Sequence, residues 1–512
     1  MQKLFTAVLL MAGLNATAQQ NKSAVQFSKT ITAADLKKKL TVIASAEMEG
    51  RETASAGQRK AAAYIESHFK KLGLTPGAAG SYQQTYPVYI DTLDKAVFTI
   101  NGKPFTYGAD FSIALSQVSD TTASFKEIVL AGYGVTDSIY DDYKDLDVKG
   151  KCVLIAEGEP KLENGNYLLT GTNRHSRSAS LYTKQANARK HGAAIVLFYQ
   201  QFAPATAAVV RKGGMYVKPR GAAPRGLNTI TIGRTILEAI SEGFSKDLDG
   251  MIEAGNSLST TLSTDIRIDL GKQVATLQSS NVIGILPGTD KKDEYVFITG
   301  HYDHLGKRGD SIIYYGADDD GTGTAAVIQM AQAFTAAKAK GKGPRRSIVF
   351  MTVSGEEKGL WGSDYYVEHP TVDLTKVSAD LNIDMIGRID PSYKGDSTNY
   401  LYVIGDDKIS SNLTPITDSI NKQYLHMELD RKFNDPKDPN RIFYRSDHYN
   451  FAKKGIPIIF YFSGLHPDYH RPTDTVDKIR FDLMQQRAKL VFFTAWDIAN
   501  RDTPLKRDIP LN

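Results

Sequence analysis

The chain has 512 residues, 41% apolar and 23% charged, which excludes a disordered or collagen-like protein. Its single cysteine, Cys152, excludes an internal disulfide, a zinc ribbon and any Cys-ligated cluster. A net charge of +5, from 62 basic and 57 acidic residues, is too small an excess for a dedicated nucleic-acid binder.

Residues 1–18 combine Lys3, an apolar run from Leu4 to Leu14 and the small-x-small site Ala16-Thr17-Ala18, the pattern of a cleavable secretory signal peptide. The run is shorter than the roughly 20 apolar residues that span a bilayer, and no cysteine follows it for lipid attachment. An exported protein, periplasmic or extracellular and without a stable membrane anchor, is expected. Residues 32–73 read as helical. Thr32-Ala33-Ala34-Asp35 has capping-box form ahead of Leu36, Leu40 and Ile43, and a second helix from about Gly57 to Leu72 sets Ala61, Ala62, Ile65 and Phe69 on one face before Gly73. Residues 82–112 change to short strands broken by Pro87, Gly102, Pro104 and Gly108.

From 116 to 265 the texture changes again, with strands predicted at 126–135, 151–156 and 193–199 and a helix at 181–191. The basic stretch RKGGMYVKPRGAAPRG reads as a solvated loop, since Tyr216 is its only aromatic residue. No carboxylates and histidines gather here in catalytic spacing, so 116–265 is expected to be a separate, smaller domain. After Asn281, apolar runs such as EYVFITG, RSIVFMTVS, ADLNIDMIG and IPIIFYFSG alternate with helices at 323–336 and 482–499. That alternation predicts an α/β domain whose sheet is covered on both faces. The basic run Lys338, Lys340, Lys342, Arg345 and Arg346 reads as a solvated helix end favoured by the macrodipole.

The chemistry-bearing residues follow those strands. EYVFITG runs into His301, Tyr302, Asp303 and His304; RSIVFMTVS into Glu356 and Glu357; ADLNIDMIG carries Asp384; and the loop after IPIIFYFSG reaches His470. Open α/β sheets bind at the carboxyl ends of their strands, so all four would feed one rim. Asp318, Asp319 and Asp320 precede the helix at Gly323, and capping of a helix N-terminus accounts for one aspartate but not three. HExxH, GxSxG and GxxxxGK[ST] do not occur, which removes a helix-borne zinc pair, an esterase elbow and the common NTPase loop. A cluster of histidines and carboxylates without cysteine suits borderline metals such as zinc.

HYDHLG, GADDDGTG, SGEEKGLWGSDYY, NIDMIGR and DYHRPTDT, in that order, resemble the co-catalytic zinc exopeptidases of metallopeptidase family twenty-eight. The resemblance covers roughly 32–110 and 275–500 and implies a three-layer α/β/α domain with a mixed, mostly parallel sheet. Residues 116–265 resemble the smaller, β-rich α/β protease-associated domain often inserted in that family. The implied organisation is therefore a signal peptide at 1–18, a peptidase domain split into 19–115 and 266–512, and an insertion at 116–265. The resemblance further implies two zinc ions, with His301 and Asp384 on one, Glu357 and His470 on the other, and Asp319 bridging them across a cis Asp319–Asp320 peptide. Glu356 would be the general base. Asp303 would hydrogen-bond the His301 imidazole and set its tautomer.

With five ligands assigned, His304 is expected to line the cleft or the surface. His448 is expected near the pocket, as a structural hydrogen-bonding group or in contact with substrate, and His369 at a helix end. Tyr444 and Tyr469 could touch substrate or simply pack. The implied activity is hydrolysis of peptide substrates, an aminopeptidase before a carboxypeptidase. Alternatives are a glutamate-carboxypeptidase-like enzyme, for which Arg441 and Arg445 keep room, a glutaminyl-cyclase-like acyltransferase and a non-catalytic binding protein. Oligomeric state is left open.

Overall fold

A computed structural model describes residues 20–115, 118–201, 212–217, 227–242, 250, 252 and 259–511. The expected signal peptide at 1–18 and most of the basic stretch at 211–226 lie outside them. The chain divides into two units, Met1–Pro87 with Gln278–Asn512, and Val88–Leu277.

In the first unit the sheet is built from the end of β1 (Ser259–Leu286), then β2 (Lys291–His301), β3 (Arg346–Val353), β4 (Val377–Ile383), β5 (Tyr400–Ile404), β6 (Glu428–Asp430) and β7 (Ile458–Phe462). Their spatial order is β6-β5-β7-β4-β2-β3-β1. β3, β2, β4 and β7 run parallel. β1 and β5 are antiparallel to their neighbours β3 and β7. The sheet is thus mixed and mostly parallel, and the domain is α/β.

Alternation along the strands feeds two cores. Val296, Ile298, Ile348, Phe350, Leu381 and Ile383 pack with α1 (Ala33–Ile43), α2 (Ala56–Lys71), α3 (Gly323–Ala339) and α5 (Phe481–Asn500). Phe297, Val349, Met351, Ile458 and Phe460 face the other way, towards Tyr366 and Val367 of α4 (Trp361–Glu368) and the short helix His448–Lys453. Two faces buried at once explain why these strands read as unbroken apolar runs. The Thr32 side chain accepts from the Asp35 N–H, so α1 starts where its sequence signal puts it. No helix among the described residues is long and apolar enough to cross a membrane.

The second unit differs from the expected insertion of 116–265 by starting at Val88 and ending at Leu277. Strands on both sides of the expected borders belong to its core. Phe98, Phe105, Phe111, Ile266, Ile268 and Leu270 pack with Ile128, Leu154 and Leu197 in one cluster. Its parallel strands Cys152–Ala156, Ile195–Tyr199 and Asn228–Ile232 follow one another, with Leu181–Lys190 as a helix. Cys152 is fully buried in the first of them. Where the basic stretch is described, Lys212–Tyr216 is a strand rather than a loop, with Tyr216 stacked on Tyr89 and its hydroxyl donating to Asp91.

The basic run after α3 is also not wholly solvated. Arg346 is fully buried at the start of β3, where its guanidinium meets Glu294 at 2.7 Å and donates to the Ile498 and Arg501 carbonyls. Strand position outweighs local charge there, because the carbonyls at the end of α5 supply acceptors.

Asp380, buried in the middle of β4, accepts from the Thr299 hydroxyl at 2.8 Å. Burial, opposed by that bond and reinforced by Asp447, pushes its carboxyl up to about 8. A folded value above the unfolded one means stability that is complete below about pH 4 and is lost as the pH rises towards 8. Asp380→Asn keeps the acceptor for Thr299 and removes the ionisation. The thermal unfolding midpoint should therefore rise in the variant, with a gain on the order of 2–5 kcal/mol at pH 8 that shrinks towards pH 5.

Candidate metal centre

β2, β3, β4 and β7 are parallel, so their carboxyl ends share one rim, and each delivers a site residue there. His301 ends β2; Glu356 and Glu357 follow β3 after Ser354-Gly355; Asp384 follows β4; and the loop after β7 carries His466 and His470. Gly355 has φ +84° and a Cβ there would lie 2.8 Å from Trp361 and 2.9 Å from the Tyr86 hydroxyl, so the turn that presents the Glu pair depends on glycine.

Asp319 stands between two sets of ligating groups. Its Oδ1 is 3.2 Å from His301 Nε2, which in turn is 3.6 Å from Asp384 Oδ1 and 3.9 Å from Glu356 Oε2. Its Oδ2 is 3.1 Å from His470 Nε2, itself 3.1 Å from Glu357 Oε2. The Asp319–Asp320 peptide is cis. Two triads have ligand atoms close enough to share an ion: His301, Glu356 and Asp384, and His304, Asp319 and Glu357.

Three adjacent aspartates persist because each has a different task. Asp318 Oδ1 accepts from the Gly387 N–H at 2.7 Å, and Asp320 Oδ1 accepts from Gly323 N at 2.8 Å and Met385 N at 3.1 Å. Asp320 thereby meets the start of α3, while Asp319 faces the imidazoles. Asp474 closes the loop from below by accepting from the Asp318 and Asp319 main-chain N–H groups.

The charges show what the cluster can hold. Burial works against ionised Asp319, yet the His301 and His470 imidazoles hold its carboxyl well below the ordinary value. His470 is opposed by burial and pushed up to about 10 by Asp319 and Glu357. Burial raises Glu356 well above the carboxylate range; His301 pulls it back, and Glu357 and Asp384 add repulsion. Burial likewise raises Asp384. His301 Nε2, Asp319 Oδ2 and Glu357 Oε1 are buried without a hydrogen-bond partner. Orphaned nitrogen and oxygen donors around surplus carboxylate charge fit a divalent cation of zinc type.

Two expectations change in the structure. The Asp303 carboxylate is 3.7 Å from His301 Nδ1, and the partner at 3.1 Å is the Asp303 main-chain oxygen. A carbonyl only accepts, so it holds the proton on Nδ1 and leaves Nε2 free to ligate. The Asp303 carboxylate instead accepts from the Thr53 hydroxyl at 2.7 Å and the Glu356 N–H at 3.2 Å. It therefore positions Glu356 rather than the imidazole. His304 is neither surface nor open cleft: it is wholly buried, with Nδ1 2.7 Å from Glu357 Oε1.

His448 is buried and donates from Nε2 to the Phe443 carbonyl, and burial lowers it to about 3, which identifies a structural group. His369 caps the end of α4. Arg441 lies over the Tyr444 ring, and Arg445 donates to the Tyr469 hydroxyl at 3.1 Å.

Several supporting residues carry no recognisable spacing in the sequence. Ser446 donates to Asp384 Oδ2 at 2.8 Å and accepts from Asn382. Arg51, fully buried, donates to the carbonyls of Ile43, Tyr302, Tyr315 and Gly316 at 2.7–2.9 Å. It ties the loop after His301 to the loop before Asp319. A charged residue beside Gly50 is the available signal, but three of its four acceptors lie more than 250 residues away.

Residues 281–495 match the profile of Peptidase family M28. The family resemblance carried by the five motifs is thus matched over this part of the chain. Aminopeptidase YwaD of Bacillus subtilis is 24% identical over 260 residues, 49% of this chain and 50% of the relative. A probable leucine aminopeptidase of Trichophyton verrucosum is 27% identical over 224 residues, 43% of this chain and 57% of the relative. The chain thus spans between 50% and 57% of the lengths of these two curated relatives. Among solved structures, an aminopeptidase from Aneurinibacillus sp. strain AM-1 aligns over 96% of this chain and 98% of its own at 20% identity, with a TM-score of 0.49.

Replacing Arg51 by Met leaves four buried carbonyls short of a donor. Urea unfolding should show a loss of about 3 kcal/mol or more, and Arg51→Lys should recover only part of it.

Proposed function

We propose that the chain is an exported zinc exopeptidase that removes N-terminal residues from peptides with two metal ions. The observation that carries this reading is Asp319, whose two oxygens face separate His/carboxylate sets, Oδ1 towards His301 and Oδ2 towards His470. His301 and Asp384 would hold one zinc, Glu357 and His470 the other, with Asp319 shared. Two zinc ions would polarise the scissile carbonyl and make the attacking water acidic near neutral pH.

The remaining steps belong to the protein. Glu356, held over His301 by its N–H bond to Asp303, takes a proton from the attacking water. Its raised affinity for that proton, caused first by burial, suits it to deliver the same proton to the departing amine. Met385, Ile442, Phe460, Phe462 and Leu465 wall the hollow beside Asp319, Glu356 and Asp384. That wall suits an apolar side chain on the residue being released. The matching relatives named as aminopeptidases support this direction of attack. Arg445 on the same wall is the observation that favours the second reading, a glutamate-carboxypeptidase-like enzyme. The unit Val88–Leu277 is read as a protease-associated domain, and export rests on the sequence pattern of residues 1–18.

Purified protein should release amine from an unblocked leucyl anilide, lose activity with a chelator and regain it with zinc. Cleavage confined to N-blocked peptides ending in glutamate would reverse the direction of attack. In Glu356→Gln, metal content by mass spectrometry should equal that of the parent while kcat falls by about two to four orders of magnitude. Unchanged turnover would remove Glu356 from the role of base.

A further inference from the structure

His304 is the histidine of the HYDHLG segment that the five-ligand scheme leaves without work. Its ring is fully buried, and neither ring nitrogen has a hydrogen-bond partner. A buried imidazole with two idle nitrogens is rare unless something absent from the hydrogen-bond network engages it. Nδ1 lies 2.7 Å from Glu357 Oε1 and 3.8 Å from Asp319 Oδ2. The first contact is short enough for a hydrogen bond, but neither Nδ1 nor Oε1 meets a partner in hydrogen-bond geometry. Nitrogen and carboxylate oxygen stand at ion-pair distance, as donor atoms do when they converge on a common centre, and Nε2 has no hydrogen-bond partner.

We infer that His304 is a metal ligand, completing a four-residue set with Asp319, Glu357 and His470. The inference rests on the two-metal reading and goes beyond its five ligands. His304, Asp319 and Glu357 already place one ligand atom each within 4.8 Å of one another. His470 joins through its contacts of 3.1 Å to both carboxylates.

The ring is held ready for this role. The His304 N–H donates to the Arg51 carbonyl at 3.3 Å, and residue 304 bridges to Glu52. On the other side Gly316, at φ +54°, leaves room for the imidazole; a Cβ there would stand 2.5 Å from His304 Cγ. The ring is thus wedged against backbone and cannot swing aside without moving the loop that carries Asp319. His470, by contrast, is 37% exposed, so one imidazole of the set is fixed and the other is accessible. A site with two carboxylates and two imidazoles should hold its ion more tightly than the site of His301, Asp384 and the shared Asp319. Metal should therefore load in two steps, the His304 side first.

The full chain, stripped with a chelator, can be titrated with Zn²⁺ and Co²⁺ against a chromophoric chelator. The parent should take two ions of unequal affinity. His304→Ala should weaken the tighter one at least about tenfold, and the visible Co²⁺ spectrum of the first equivalent should change. His304→Asn retains an N–H that can reach Glu357 Oε1 and guards against loss of fold. It should show the same weakening if the imidazole ligates. Full affinity and an unchanged spectrum in His304→Asn would overturn the inference and leave His304 as an orienting donor to Glu357. A parent that binds fewer than two ions would overturn the two-metal reading itself, a separate result.

Discussion

Eight carboxyl groups, Asp303, Asp318, Asp319, Asp320, Glu356, Glu357, Asp384 and Asp474, are gathered nearly out of solvent beyond the ends of four parallel strands. Their mutual repulsion is the constraint around which the first unit is arranged. Main-chain N–H groups answer half of it. Asp303 takes the N–H of Glu356, Asp318 that of Gly387, Asp320 those of Gly323 and Met385, and Asp474 those of Asp318 and Asp319. The other four, Asp319, Glu356, Glu357 and Asp384, turn inward to the imidazoles. Acids used as structure and acids left for a cation are thus interleaved along the same loops.

Because the structural acids bind backbone, they fix loop shape rather than side-chain pairs. Asp474 orients the peptide groups that precede Asp319, and Asp320 ties the same loop both to α3 and to the residue after Asp384. Arg51 does the complementary work on carbonyls, joining the loop after His301 to the loop before Asp319. Asp319 therefore reaches its place between two histidines as the product of hydrogen bonds that its own side chain does not make.

Much of this is readable in the sequence where one residue type serves one purpose. Continuous apolar runs mark strands buried on both faces, and the Thr32 cap marks the start of α1. The strand-end rule then brings His301, Glu356, Glu357, Asp384 and His470 to one rim, and the structure sets them within a few ångströms of Asp319. Legibility fails where a partner is backbone. The tautomer of His301 is set by the Asp303 carbonyl rather than its side chain, and no residue pattern encodes a carbonyl. Arg346 looks like surface charge because its acceptors lie at the far end of α5. His304 looks spare because a count of ligands by resemblance stops at five. The second unit extends to Val88 and Leu277, beyond the 116–265 that composition marks, since the strands that enter and leave it look alike on both sides of those residues.

The bonds made by Arg51 also bear on how the chain reaches this state. The partners in Arg51–Tyr302 and Arg51–Gly316 are separated by 251 and 265 residues, so their closure is entropically late. Most of the intervening chain is the second unit, where Asn101 donates to the Asp265 carbonyl and so holds an early strand to a late one. If that unit condenses on its own core, the long loop between Pro87 and Gln278 behaves as a short one. The search that brings residue 51 to residue 302 then becomes far smaller. An independently condensing second unit would in this way act as a folding aid for the very loops it interrupts in sequence.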